Sequence, residues 1–183
     1  MNDTDLAFTS ALDQAKLIRD RACSPLELTQ LTLDRIDRLN PQLGSFFHIV
    51  AESAIVDAKA KTEQLARTSD PAKLPPFFGV PTSIKDLNAV EGMPHSYGVP
   101  FQKESIASYD DGVVTRMKQA GFIILGKTAT SEIGSLPYTE PPGFPPARNP
   151  WNLDYTPGGS SGGAASAVAA GLGAVAHGSD GGG

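Results

Sequence analysis

A single cysteine, Cys23, leaves no partner for an intrachain disulfide and no thiolate set for a zinc site, which fits a reducing compartment. Basic residues are also scarce: 15 lysines and arginines face 20 aspartates and glutamates, a formal charge of -5. No basic run is dense enough to neutralise a nucleic-acid backbone or to hold an anionic membrane. The start MNDTDLAFTS lacks the basic n-region and apolar h-region of a secretory leader. The longest small-apolar run, residues 164–176, is too short and too broken by glycine to span a bilayer. The three histidines, His48, His95 and His177, share no ligand spacing, so they read as loop or packing residues and argue against a zinc site or a Ser-His-Asp triad. Together these absences predict a soluble, cytoplasmic protein whose partner is a small molecule.

What is present suits one globular domain, since 40% of the 183 residues are hydrophobic and 19% charged. Ser24-Pro25-Leu26-Glu27 carries an N-cap, a proline at the first helical position and a glutamate three residues after the cap. Leu28, Leu31, Leu33, Ile36 and Leu39 follow at roughly helical spacing, with Asn40-Pro41 expected to end the helix. Phe46 to Val50 is a short apolar run, and Glu52 to Arg67 alternates apolar and charged residues as a second helix. Turn-like residues 68–76 mark a change of organisation, after which Phe77 to Ile84 reads as a strand, with Pro81 making a bulge or an edge, that leads to Lys85. Asp111 to Ala120 reads as a helix with an acidic first turn, and Phe122 to Leu125 as a buried strand. Residues 137–150 form a proline-rich surface loop. Residues 164–170 favour a helix of small side chains, and Gly171 to Ala176 a strand. The alternation predicts an α/β fold.

Gly158-Gly159-Ser160-Ser161-Gly162-Gly163 sets two hydroxyls between glycine pairs, which alone is compatible with a flexible linker or a phosphate cradle. Other segments accompany it in order: Pro81-Thr82-Ser83-Ile84-Lys85-Asp86-Leu87, Gly126-Lys127-Thr128 with Ser131-Glu132, Asn149-Pro150-Trp151, and the terminal Gly178-Ser179-Asp180-Gly181-Gly182-Gly183. In this order and spacing, residues 77–183 resemble the amidase-signature family. The resemblance implies a mixed central sheet flanked by helices on both faces. It also implies one incomplete domain, with residues 1–67 as a helical layer and 77–183 as the signature core.

The same resemblance implies a Ser-cisSer-Lys triad in which Lys85 is the base and Ser160 the bridging serine. The nucleophile is expected at position 184, one residue past Gly183, with the natural polypeptide continuing through the rest of the sheet and pocket. Lys85 must be uncharged to accept a proton near neutral pH, and burial is what lowers a lysine pKa. Lys85 would then take a proton from Ser160, Ser160 one from the nucleophile, and an acyl-enzyme would form and hydrolyse. Gly181, Gly182 and Gly183 match the family's oxyanion loop. Ser161 is expected to hydrogen-bond Lys85, Asp180 to brace the loop, and Gly134 to fall near a substrate-contact position.

The function so implied is hydrolysis of a carboxamide C-N bond with no metal or organic cofactor. The expected partners are a small-molecule amide and the remainder of the same polypeptide, with a homodimer compatible and no nucleic acid or membrane. Three rivals stand beside it. One is the amidase subunit of a tRNA-dependent amidotransferase, and another a non-catalytic binding relative. The third is a phosphate loop, because Gly121 to Thr128 satisfies GxxxxGK[ST], although its four intervening residues are a β-forming apolar run preceded by a helix.

Overall fold

The computed structural model describes residues 2–181. Two short helices, α1 (Asp3–Ala7) and α2 (Ala11–Arg19), lead into the long α3 (Pro25–Leu43). The start of α3 follows from local chemistry. The Ser24 hydroxyl accepts from the Glu27 amide at 3.1 Å while a Glu27 carboxylate oxygen accepts from the Ser24 amide at 2.8 Å, which closes a capping box. The helix does not stop at Asn40-Pro41. Pro41 lies within its last turn, and the stop is Gly44, left-handed at φ 56, whose amide donates to Asn40 O. A side chain at Gly44 would also put its Cβ 2.3 Å from Pro146 O.

Strand β1 (Phe46–Ile49) follows, then α4 (Ala51–Arg67), β2 (Pro81–Lys85), α5 (Gly112–Gln119), β3 (Ile123–Thr128) and α6 (Gly162–Ala169). The sheet order is β1-β3-β2, with β1 antiparallel and β2 parallel to β3. Alternation along β3 sends Ile123 and Leu125 into a core with Leu33 and Ile36 of α3, Ala54 and Ala58 of α4, and Ala167 of α6. Ile124 and Ile84 face the other way, onto Val114 of α5. Helices therefore cover both faces of a mixed sheet, as the resemblance implied.

The pairing of β2 with β3 is irregular in an informative way. Thr82 faces Ile124 and Ile84 faces Lys127, so two steps on β2 match three on β3, and the extra residue lies at Leu125–Gly126. This bulge turns Lys127 to the side of Ile84, away from the α3/α4 core that simple alternation would give it. Gly126 fits because a Cβ there would lie 2.1 Å from His48 O. The Gly126-Lys127-Thr128 triplet is thus the buried interior of a strand, not a phosphate loop opening a helix.

Three further expectations are corrected. Residues 77–80 are a turn, with Phe77 stacked on Phe122 at 4.6 Å between centroids. The ladder begins at Pro81, and the irregularity comes after Thr82. Gly171 to Ala176 is not a strand: it runs beside β2, where Thr82 Oγ1 donates to Val175 O and the His177 amide donates to Ser83 O, too few bonds for a ladder. The first turn of α5 carries no acid. Asp111 is its N-cap residue, and its carboxylate instead accepts from the Asn88 side chain and the Ala89 amide, each at 2.9 Å.

Candidate active site

Lys85 ends β2, and strand alternation points it opposite to Ile84, toward the loop that precedes α6. Its side chain is fully buried, and its Nζ donates to Ser160 Oγ at 2.6 Å, to Ser179 Oγ at 3.0 Å and to Ser179 O at 3.3 Å. Burial holds its pKa below the ordinary 10.5, and the negative charge of Asp180 works in the opposite direction. Lys127, on the neighbouring strand, is equally buried and is also lowered by burial, but it is held by the Asp86 carboxylate at 2.6 Å. Of two buried lysines, the one among hydroxyls is suited to give up its proton.

The serine loop is packed so that glycine is required at several positions. The Gly159–Ser160 peptide is cis. A Cβ at Gly159 would lie 2.5 Å from the Tyr138 amide nitrogen, one at Gly162 2.3 Å from Thr139 Oγ1, and one at Gly163 2.3 Å from the Ala129 amide nitrogen. These contacts are backed by bonds: Gly162 N donates to Thr139 Oγ1, Thr139 Oγ1 to Gly158 O, and Gly163 N to Ala129 O. The Ser131 amide donates to Ser160 O at 3.2 Å. Such a loop is pinned from several sides, which rules out the flexible-linker reading.

Ser161 does not take the place expected for it. Its hydroxyl donates to Ser179 O at 2.9 Å and accepts from the Ser179 amide at 3.1 Å, so it holds the segment that Lys85 touches instead of Lys85 itself. The reason is geometric: Ser160 and Ser161 diverge at the entrance to α6, and Ser179 lies between Ser161 and the amine. Ser179, in contact with Lys85 through both hydroxyl and carbonyl, is a residue that sequence reasoning misses. Its one signal is a hydroxyl two positions before the terminal glycines.

Pro157, Gly158, Gly159, Ser161, Ala165, Gly178, Ser179 and Asp180 line a cleft of about 500 Å³. Ser160 is half-buried and does not itself line the cleft, while Ser179, Asp180 and Gly181 are exposed. A Cβ built at Gly181 would meet nothing within 4 Å. Gly182 and Gly183 lie outside the described residues. Gly134 is not on this cleft. It has φ +70 and packs against Leu87, whose Cδ1 would be 2.5 Å from a Cβ there, so its glycine is explained by backbone and packing. Among the described residues no group of histidines, cysteines and carboxylates could hold a metal ion, and no helix is long and apolar enough to cross a membrane.

The amidase family model matches residues 27–183. The "Putative amidase" of Synechocystis sp. is 62% identical over 180 residues, which are 98% of this chain and 36% of that protein. Among solved structures, 6-aminohexanoate cyclic dimer hydrolase is 36% identical with a TM-score of 0.82, over 94% of this chain and 34% of that one. A glutamyl-tRNA(Gln) amidotransferase subunit from Thermotoga maritima is 32% identical with a TM-score of 0.74, over 94% and 34%. The chain thus spans about a third of the length of the relatives that it matches. A serine loop pinned against a buried lysine, on a sheet shared with these proteins and under a family model that reaches from the third helix to the last residue, places the chain in the amidase family, the amidase-signature enzymes.

Proposed function

We propose that the full-length protein hydrolyses a carboxamide C-N bond through an acyl-enzyme, with Lys85 and Ser160 as the proton relay and a serine at position 184 as the nucleophile. The observation that carries this reading is the 2.6 Å contact between Lys85 Nζ and Ser160 Oγ, made by a buried amine whose pKa burial depresses. Neutral Lys85 accepts the Ser160 proton while Ser160 takes that of the attacking hydroxyl. The new oxygen–carbon bond forms as the carbonyl π pair moves onto oxygen. The oxyanion is assigned to backbone amides of the glycine segment that starts at Gly181. Return of the proton through the same pair releases the amine, and water then repeats the sequence on the ester. The pinned loop and the cleft supply orientation, so little motion is needed between steps. A cytoplasmic location, supported by the lone Cys23, completes the reading.

The test is a fluorophosphonate probe on the full-length protein, with intact and peptide mass to locate the label. Labelling at position 184 that is lost or slowed about 10²–10⁴-fold in Lys85→Ala and Ser160→Ala is expected. Undiminished labelling in both variants would refute the relay. The similarity to an amidotransferase component favours a second reading, in which the amide is glutamine and the ammonia goes to a partner. Ammonia release from simple amides by the isolated protein supports the first reading, and release from glutamine only with added partner subunits supports the second.

A further inference from the structure

Asp86 follows Lys85, and the alternation of β2 sends its carboxylate to the opposite side of the strand. There Oδ1 accepts from Lys127 Nζ at 2.6 Å, and Oδ2 accepts from the Ser96 amide at 3.0 Å and from the Ser96 hydroxyl. Lys127 also donates to Pro94 O at 3.1 Å. Both charged side chains are 0% exposed, so losing one partner would leave the other charge buried and uncompensated. The proton relay makes no use of this pair.

Its connections nevertheless reach both halves of the Lys85–Ser160 contact. On the lysine side, the Asp86 amide donates to Thr128 O at 3.1 Å, just past the pairing of Lys85 with Thr128. Main chain and side chain therefore both anchor the backbone next to Lys85 to β3. On the serine side, Ser96 Oγ accepts from the Gly98 amide at 3.1 Å, and Tyr97 O accepts from the Ile133 amide at 2.8 Å. Gly98 lies so close to the Thr130 and Ser131 carbonyls that a Cβ would be 3.2 and 3.1 Å from them, and Ser131 in turn holds Ser160 O. One buried ion pair thus braces both the strand that carries the base and the loop that carries the bridging serine.

Charge matters as well as position. An uncompensated Asp86 carboxylate beside Lys85 would favour the ammonium form, and a lysine at 2.6 Å is placed to offset it. With the pair in place Asp86 is not among the groups that shift Lys85: Asp180 is, and Lys85 in turn acts on His177, both from the segment after α6. Around the ion pair stand His48 from β1, His95 from the loop after β2, and Asp111 at the head of α5.

We propose that the Asp86–Lys127 pair is a positioning device for the relay, which holds Lys85 against Ser160 and shields it from the Asp86 carboxylate. This rests on the Lys85–Ser160 reading above, and the experiment separates the two. The fluorophosphonate labelling rate of the full-length protein is followed against pH for Lys127→Gln, Lys127→Arg and the double variant Asp86→Asn/Lys127→Gln, with thermal melts on each. In Lys127→Gln the carboxylate of Asp86 loses its counter-charge, so the acid limb moves to higher pH by about one unit. Lys127→Arg retains the charge and leaves the limb in place. The double variant, with no buried charge, also leaves it in place, but its maximal rate drops at least about tenfold because the brace is gone. An unmoved limb in a folded Lys127→Gln, or a double variant at full rate, overturns the proposal. If Lys127→Gln does not fold, the double variant decides alone by its maximal rate. Labelling that survives in Lys85→Ala instead defeats the relay reading.

Discussion

Two lysines on adjacent parallel strands, each fully buried, show how surroundings set the state of an amine. Lys127 has a carboxylate at 2.6 Å, whereas Lys85 has hydroxyls and a carbonyl. The depressed pKa of Lys85 has a consequence for stability. In the unfolded chain it keeps its proton up to about the ordinary 10.5, but the folded protein gives it up at lower pH. Between those two values the unfolded state binds more protons, so stability rises with pH across the window and the burden is full below it. The stability of Lys85→Met relative to the parent is therefore expected to be highest below the folded-state pKa of Lys85, and to decline as pH rises from there toward 10.5. Urea midpoints across that range check it, and an advantage that grew with pH would contradict the direction.

At the scale of elements, α3 shows what can and cannot be read locally. Its capping box joins residues three apart, so Ser24 and Glu27 announce it without any knowledge of the rest of the molecule. Replacing Ser24 with Ala removes one acceptor from the first turn and is expected to cost about 0.5–2 kcal/mol, read as a lower denaturation midpoint with activity per folded molecule unchanged. The far end is less legible, because a proline in a last turn looks like a stop and the true stop depends on Gly44 packing against Pro146. The same limit explains the two strands that the sequence suggests and the fold does not form. Residues 77–80 are apolar enough for a strand, but tertiary packing on Phe122 uses them as a turn. The 171–176 segment has strand composition and finds only scattered partners on β2. Lys85 and Ser160 can be singled out from motif order, whereas Ser179, Asp86 and Lys127 stand out only through contacts between segments 41 to 94 residues apart.

Across the whole molecule, the N-terminal layer and the serine-bearing helix are joined by Arg35. Its guanidinium donates to Gly171 O at 2.9 Å and Ala170 O at 2.8 Å, capping the carbonyl end of α6 from α3. A cation suits that end of a helix, and burial lowers its pKa without discharging a guanidinium. Arg35→Met keeps the bulk and leaves those carbonyls unsatisfied, so a loss of about 1–3 kcal/mol is expected for each buried group left without a partner. Activity should fall with it, because α6 begins two residues after Ser160. A variant with parental stability would show that water replaces the guanidinium without cost.

The contact that matters most to the chemistry, between positions 75 apart in the chain, also sets when reactivity can first arise. Hairpins and single helices can organise early, but an amine and a hydroxyl so distant meet only after the sheet between them has closed. A nascent or half-folded copy thus contains every ingredient of the relay and no assembled one. On the reading proposed above, the capacity to acylate would then arrive last, as a signature of completed folding.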